Sequence, residues 1–358
     1  MIMLFAAGQT MRSFEPGVFD RQAVGQSLIQ TVRLIGEYKG RQELFGQQSR
    51  QVLQTLREAA VIESTESSNR MEGIVAPHER VRALIAGRTR PANRSEQELA
   101  GYRDVLNTIH ANHQAMDVTA NLVLQLHRDL FQFVPGGGGR WKATDNQITE
   151  RRGDGTVIVR FTPVPAHAVP EAMARLSDGY AASVSGGAVE PLLLIPTYVL
   201  DFLCIHPFAD GNGRIARLLT LLLLYKAGYE AGRYISLEAL IENTKEGYYG
   251  SLYASSQGWH EGAHSLLPWW EYFLGVVLLT AYREFEQRVG AVTARRGAKR
   301  EMIVDAVRRL PSRFRFADLA RVLPAVSRPT INRVLRELRL AGEIRCAKSG
   351  RDATWEKS

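Results

Sequence analysis

The segment His206-Pro207-Phe208-Ala209-Asp210-Gly211-Asn212-Gly213-Arg214-Ile215-Ala216-Arg217 lies between two apolar helical stretches, Pro191 to Ile205 and Gly213 to Ala227. A Gly-Asn-Gly turn entering a helix leaves unpaired amides at the positive end of the helix dipole, where a phosphate binds. Arg214 and Arg217, three apart, share a face of the following helix, and their guanidinium groups can reach further phosphate oxygens. Asp210 offers an oxygen ligand for a magnesium ion bridging phosphates. His206, titrating near neutrality, can take a proton from an attacking hydroxyl. Taken singly, each part is commonplace: a histidine at a helix end is usually structural, and Gly-x-Gly is usually just a turn. Their joint spacing describes attack of an alcohol on a nucleotide phosphate.

Working outward, helical periodicity runs from about Phe19 to Ala86, with Leu53, Leu56 and Ala60 on one face, then Glu96 to Ala111 and Ala120 to Phe133. Pro135-Gly136-Gly137-Gly138-Gly139 cannot continue a helix. Gln147 to Thr149 and Thr156 to Phe161 favour strands around the turn Gly153-Asp154-Gly155, which predicts a β-hairpin. Helices are expected again at Val169 to Val184, Pro191 to Ile205, Gly213 to Ala227, Leu237 to Ser255 and Pro268 towards Val292. The tail reads as helices at Lys299 to Leu310, Phe316 to Leu323 and Ser327 to Ala341. Strands at Glu343 to Cys346 and Thr354 to Glu356 then flank Lys348-Ser349-Gly350-Arg351, a winged helix-turn-helix pattern.

At 358 residues the chain is long enough for two or three domains. The expected boundaries are 1–112, an N-terminal helical region; 113–292, a catalytic core; and 293–358, the winged helix. The tail from Ala291 carries 17 Lys or Arg against 7 Asp or Glu, a surplus of 10. Because the whole chain is at +8, the first 290 residues stand at about −2, so the basicity belongs to the tail. Arg328, Thr330, Arg333 and Arg336 lie mostly off the buried stripe of Ile331, Val334, Leu335 and Leu338, a layout suited to DNA. Protein docking is the other use of such a module. Cys204 and Cys346 have no disulfide or zinc spacing, which fits a reducing cytoplasm. Met1 to Gly8 is too short and uncharged for an export signal, and Leu218 to Tyr225 is too short to span a membrane, so no membrane association is expected.

The twelve-residue segment is similar at every specified position to the motif H-P-F-x-[D/E]-G-N-G-R-x-x-R of the Fic family. The resemblance implies a mainly α fold, a helical Fic core with a β-hairpin flap, and transfer of AMP from ATP to a Ser, Thr or Tyr hydroxyl of a protein. It makes His206 the general base and Asp210 the Mg2+ ligand. Gly211, Asn212 and Gly213 become the anion hole for the α and β phosphates, with Arg214 and Arg217 holding the β and γ phosphates. The stretch 139–163, entered by Gly139-Arg140-Trp141 and left by Phe161-Thr162-Pro163, resembles the family's flap, on which a protein substrate docks as an added strand. Asn243, Tyr248 and Tyr249 resemble the region lining the adenine pocket, with core packing of the tyrosines as the competing reading. Ser68-Asn69-Arg70-Met71-Glu72-Gly73 resembles the inhibitory motif [S/T]-x-x-x-E-[G/N]. The resemblance pairs Glu72 with Arg217, drawing the arginine from the γ phosphate. It extends from about Ser68 to Tyr253, and the family's habit of pairing subunits allows a homodimer. A different nucleotide donor and AMP removal aided by Glu72 stay open. So does a nucleotide-sensing, DNA-binding regulator without transferase activity, though no motif residue is degenerate.

Overall fold

Pro191–Ile205 is apolar nearly all round and Asn212–Lys226 is apolar from Leu218 to Tyr225 but for Thr220, and helices of this kind must be wrapped by others. The computed structural model, which describes residues 12–46, 50–151, 154–293, 298–323, 326–348, 350 and 353–357, places both at a core. In chain order the elements are α1 Gln26–Gly46, α2 Arg50–Arg70, α3 His78–Ile85, α4 Arg94–Asn112, α5 Ala120–Leu130, β1 Ile148–Arg151, β2 Val157–Phe161, α6 Val169–Gly186, α7 Pro191–Ile205 and α8 Asn212–Lys226. There follow α9 Leu237–Asn243, α10 Lys245–Ser256, α11 Leu267–Glu271, α12 Leu279–Thr293, α13 Ala298–Arg309, β3 Arg313–Arg315, α14 Phe316–Val322, α15 Arg328–Leu340, β4 Ile344–Lys348 and β5 Thr354–Lys357. The chain is mainly helical with two small sheets. Among the described residues no helix is long and apolar enough to cross a membrane.

The chain divides into two units, one made of the segments up to Ile35 and Glu58–Ala281, the other of Gly36–Arg57 and Tyr282–Ser358. In the first, α7 and α8 pack on each other, α4 packs on α8 and on α5, and α6 covers α7. Pro196 inside α7 has no N–H to give the helix ladder, and its oxygen accepts from Trp269 Nε1 at 2.7 Å. Asp201, on the same helix and fully buried, accepts from Ser13 Oγ at 2.7 Å and Trp259 Nε1 at 2.6 Å. α4 and α5 approach closely at Gly101, where a Cβ would stand 2.0 Å from the Leu130 carbonyl oxygen.

β1 and β2 form the expected antiparallel hairpin, with Thr149 opposite Val159. Gly153 of its turn lies outside the described residues, and Gly139 to Gln147 is irregular rather than strand. The helical periodicity expected from about Phe19 to Ala86 corresponds to α1, α2 and α3, with a turn at Met71–Gly73 and an extended stretch before His78. The helix expected over Leu237 to Ser255 breaks at Thr244, whose φ of −121° is not helical. Its hydroxyl bonds back to Leu240 O at 2.7 Å and meets Tyr272 OH at 2.8 Å, so side-chain bonding competes with the backbone ladder. The helix expected from Pro268 contains a π-helical segment, Tyr272–Leu278, between α11 and α12.

In the second unit, Ile303, Phe314, Leu319, Ile331, Leu335, Leu338 and Trp355 form a separate core under α13, α14 and α15. Its sheet has the order β3-β5-β4 with Phe314 opposite Trp355. β3 was not expected: three residues with one buried side chain give no readable alternation. β4 runs two residues further than the pattern suggested. Ser349 and Arg351 of the turn after it lie outside the described residues, as does Met1 to Gly8.

Candidate active site

α7 ends at Ile205, and His206 turns the chain with φ +50° and ψ +61°. It is the one described non-glycine residue with positive φ, a conformation costing an ordinary L-residue roughly 1 kcal/mol or more. That turn places the imidazole at one end of a cavity. Nδ1 donates to Leu203 O at 3.2 Å, which leaves the Nε2 lone pair for another group. Burial pushes His206 down to about 4, Lys142 nearby pushes the same way, and the Leu203 carbonyl and Glu72 oppose them. The ring is therefore neutral at physiological pH, with the Nε2 lone pair free of a proton.

The loop after His206 is fixed from within. Phe208 is fully buried with its ring stacked on His127 at 3.7 Å. Asn212 accepts from Phe208 N–H at 2.9 Å and donates to Phe208 O at 2.8 Å, so its side chain braces the loop rather than lining an anion site. Gly211 takes φ +84°, and a Cβ there would crowd the Phe131 ring at 2.9 Å. No side chain caps the first turn of α8, whose amides stay open at the positive end of its dipole. Asp210, 59% exposed, accepts from Gly211 N–H at 2.6 Å.

The two motif arginines do not share an open face, as the spacing suggested; both are buried and each is held by a carboxylate. Arg214 is 0% exposed, donates to Glu98 at 2.6 Å and lies over the Phe131 ring. Its Nε and Nη2 have no hydrogen-bond partner, a deficit that phosphate oxygens would fill. Arg217 donates from Nε to Ser68 Oγ at 2.8 Å, and from Nη2 to Ser68 O at 2.9 Å and Glu72 Oε1 at 2.8 Å. Glu72 sits just past α2, where Gly73 at φ +76° closes the turn with its N–H on Arg70 O. Gly213 makes room for that glutamate: a Cβ there would stand 2.3 Å from Glu72 Oε1.

α2 is fastened beneath this contact. Glu238, buried on α9, accepts from Ser64 Oγ at 2.7 Å and Tyr102 OH at 2.9 Å, and Arg70 donates to Glu242 at 2.5 Å. The cavity beside His206 and Arg217 holds about 680 Å³ and is walled by Ile148 and Phe161 of the hairpin and by Tyr248, Tyr249 and Tyr253 of α10. Tyr248 is buried at its edge and Tyr249 is 52% exposed. Asn243 corrects the reading that grouped it with them: it is exposed at the end of α9, beyond the helix break at Thr244, and does not line the cavity.

Four contributors escaped sequence reasoning. Glu98 lies on the stripe of Tyr102, Val105 and Ile109, and a carboxylate on an otherwise apolar stripe was the available signal. His127 interrupts the buried face of α5 in the same way; its Nδ1 accepts from Gly139 N–H at 2.8 Å and its Nε2 donates to Asp210 O at 3.1 Å. Lys142, buried and lowered to about 8 by that burial, donates to Asn146, while Lys142 N–H and Asn146 Nδ2 hold the Pro207 and Phe208 carbonyls. Nothing in the sequence marked these last two.

Three histidines, His127, His206 and His264, are pushed to about 4 chiefly by burial, while burial raises Asp201 to about 7. Between pH 6.5 and 4 the unfolded chain charges three imidazoles that the folded chain keeps neutral. Over much of that range the folded chain retains a proton on Asp201 that the unfolded chain releases. The unfolded state binds about two more protons near pH 5, so stability is lost as pH falls through this window. Urea midpoints at pH 7 and pH 5 check this; a midpoint at pH 5 equal to or above that at pH 7 refutes it.

Residues 117–224 match the Fic/DOC family profile. Two curated proteins, each named Protein adenylyltransferase fic-1, are similar: that of Caenorhabditis briggsae is 27% identical over 153 residues, 43% of this chain and 27% of its own length. That of Caenorhabditis elegans is 27% identical over 143 residues, 40% of this chain and 25% of its own length. The match thus spans about a quarter of those relatives. Among solved structures, a Fic family protein from Desulfovibrio desulfuricans G20 superposes with TM-score 0.60 at 23% identity, over 94% of this chain and 97% of that one. A Fic domain containing signaling protein from Bacteroides thetaiotaomicron gives TM-score 0.60 at 20% identity, over 72% of this chain and 98% of that one. These likenesses give the fold.

Proposed function

We infer that this chain, whose residues 117–224 form a Fic domain, transfers AMP from ATP to a hydroxyl side chain of a protein, and that Glu72 holds it at rest. The observation that carries the reading is the Arg217–Glu72 pair at 2.8 Å, at the edge of the cavity that holds the neutral His206 imidazole. Nε2 of His206 takes the proton of the acceptor hydroxyl, whose oxygen bonds to the α phosphorus as the bond to the bridging oxygen breaks and pyrophosphate leaves. The open amides of α8 and the unpartnered N–H groups of Arg214 meet the phosphate charge. Among the described residues no cluster of three or more His, Cys, Asp or Glu makes a metal cage. The half-open Asp210 carboxylate fits a magnesium ion completed by phosphate oxygens and water. Such an ion would neutralise phosphate charge.

Tyr249 and the hairpin walls suit a stacked base, with ATP as the donor that the motif and the curated relatives support. The exposed edge of β2, with Val157 and Val159 outward, suits an acceptor segment added as a strand. The test incubates the Glu72→Gly protein, with and without His206→Ala, with magnesium and ATP labelled at the α phosphate. Loss of the base is expected to lower labelling of protein by about 100-fold or more. Labelling that survives His206→Ala, or none from either protein, sinks the assignment.

A further inference from the structure

The exposed face of α15 has no role in the chemistry above. Its buried residues, Ile331, Val334, Leu335 and Leu338, face the core of the second unit. Opposite them, Pro329, Arg333, Arg336 and Leu340 recur at spacings of four, three and four, so they form one outward row on a helix. Asn332 and Arg339, also exposed, flank it. At the start of the helix Ser327 Oγ and Thr330 Oγ1 lie 2.9 Å apart, and Arg328 stacks over the Phe316 ring of α14.

The charges on this face are largely uncommitted. Arg333 comes only within 3.9 Å of Glu337, a carboxylate already held by Arg300 at 3.0 Å. Arg336, Arg339 and Lys348, the last at the end of β4, pair with no carboxylate among the described residues. The row holds arginines and no aromatic side chain, whereas protein interfaces concentrate aromatic anchors and shed charge at their centre.

We propose that the α14–α15 pair with the β4–β5 hairpin binds duplex DNA as a winged helix, with Asn332, Arg333 and Arg336 entering the major groove and Arg339 and Lys348 on phosphates. The major groove of B-form DNA admits a helix, and arginine and asparagine pair there with guanine and adenine edges. The major groove of double-stranded RNA is too narrow for a helix, so this docking mode favours DNA.

The full chain is titrated against a fluorescein-labelled random DNA duplex of about 30 base pairs, at about 50 and about 200 mM salt, followed by anisotropy. With Arg339 and Lys348 on phosphates, binding is expected to weaken about 10-fold between the two salts. Arg333→Ala with Arg336→Ala is expected to weaken binding at the lower salt by 10-fold or more, and Arg339→Ala with Lys348→Ala to flatten the salt dependence, each with an unchanged unfolding curve. No binding at the lower salt, binding indifferent to the Arg333 and Arg336 substitutions, or equal binding to double-stranded RNA overturns the proposal. The first of these outcomes leaves the face to a protein partner.

Discussion

Glu72→Gly is expected to raise AMP transfer by about 100-fold or more. In the structure Arg217 gives one Nη2 N–H to Glu72 Oε1 and two further N–H groups to Ser68, with its side chain 3% exposed. Removing the carboxylate leaves both Ser68 contacts in place, so the freed Nη2 stays oriented at the cavity instead of relaxing into solvent. A preorganised donor at developing phosphate charge contributes on the order of 100- to 1000-fold to rate, which sets the size of the gain. The same gain must vanish when Arg217→Ala is added. An increase that persists without Arg217 would show that Glu72 blocks the site by bulk alone. Unchanged transfer in Glu72→Gly would remove the inhibitory role altogether.

Glu98→Ala is expected to cause the largest loss of stability of any single substitution at the site, about 3 kcal/mol or more. Glu98 is nearly as buried as its partner and is bridged to the surface by Arg94 at 2.9 Å. Deleting one member of a buried pair leaves the other as an uncompensated charge, which costs about 3–5 kcal/mol. Asn69 and Asp210, each 3.5 Å from the guanidinium, are too distant to replace the 2.6 Å contact. Glu98→Gln, which keeps an acceptor, should lose less. Denaturant unfolding of both variants decides the matter; a change below about 1 kcal/mol in Glu98→Ala would mean that the pair roughly breaks even. Magnesium ATP should restore part of the loss by supplying negative charge to Arg214.

What the sequence made legible follows from how locally each feature is encoded. The segment from His206 to Arg217 carries its chemistry in consecutive residues, so its turn, its glycines and its arginines were readable, and the structure brings Glu72 to Arg217 across 145 positions. The fates of the two arginines were not readable. Three-residue spacing says that they share a side of α8, but Glu98 and Glu72, contributed from other parts of the chain, decide what that side meets. Lys142 and Asn146 are single polar residues in unremarkable contexts, and only folding shows them gripping the loop. The break at Thr244 escaped because periodicity registers which residues are apolar, while a hydroxyl bonding to Leu240 O and Tyr272 competes with the ladder unseen. Asn243 was grouped with Tyr248 and Tyr249 by resemblance alone, and the break at Thr244 sets it apart from them.

The missing side chain at Gly213 binds rest and activity to one position. Where a methyl group would go, the glutamate oxygen now sits 2.3 Å away, on a carboxylate flexible enough to be pushed aside. Alanine there would evict Glu72 and at the same time roof the first turn of α8, where the phosphates are to lie. On the proposed reading, a chain that loses this glycine would escape its restraint only by spoiling the seat it would have used.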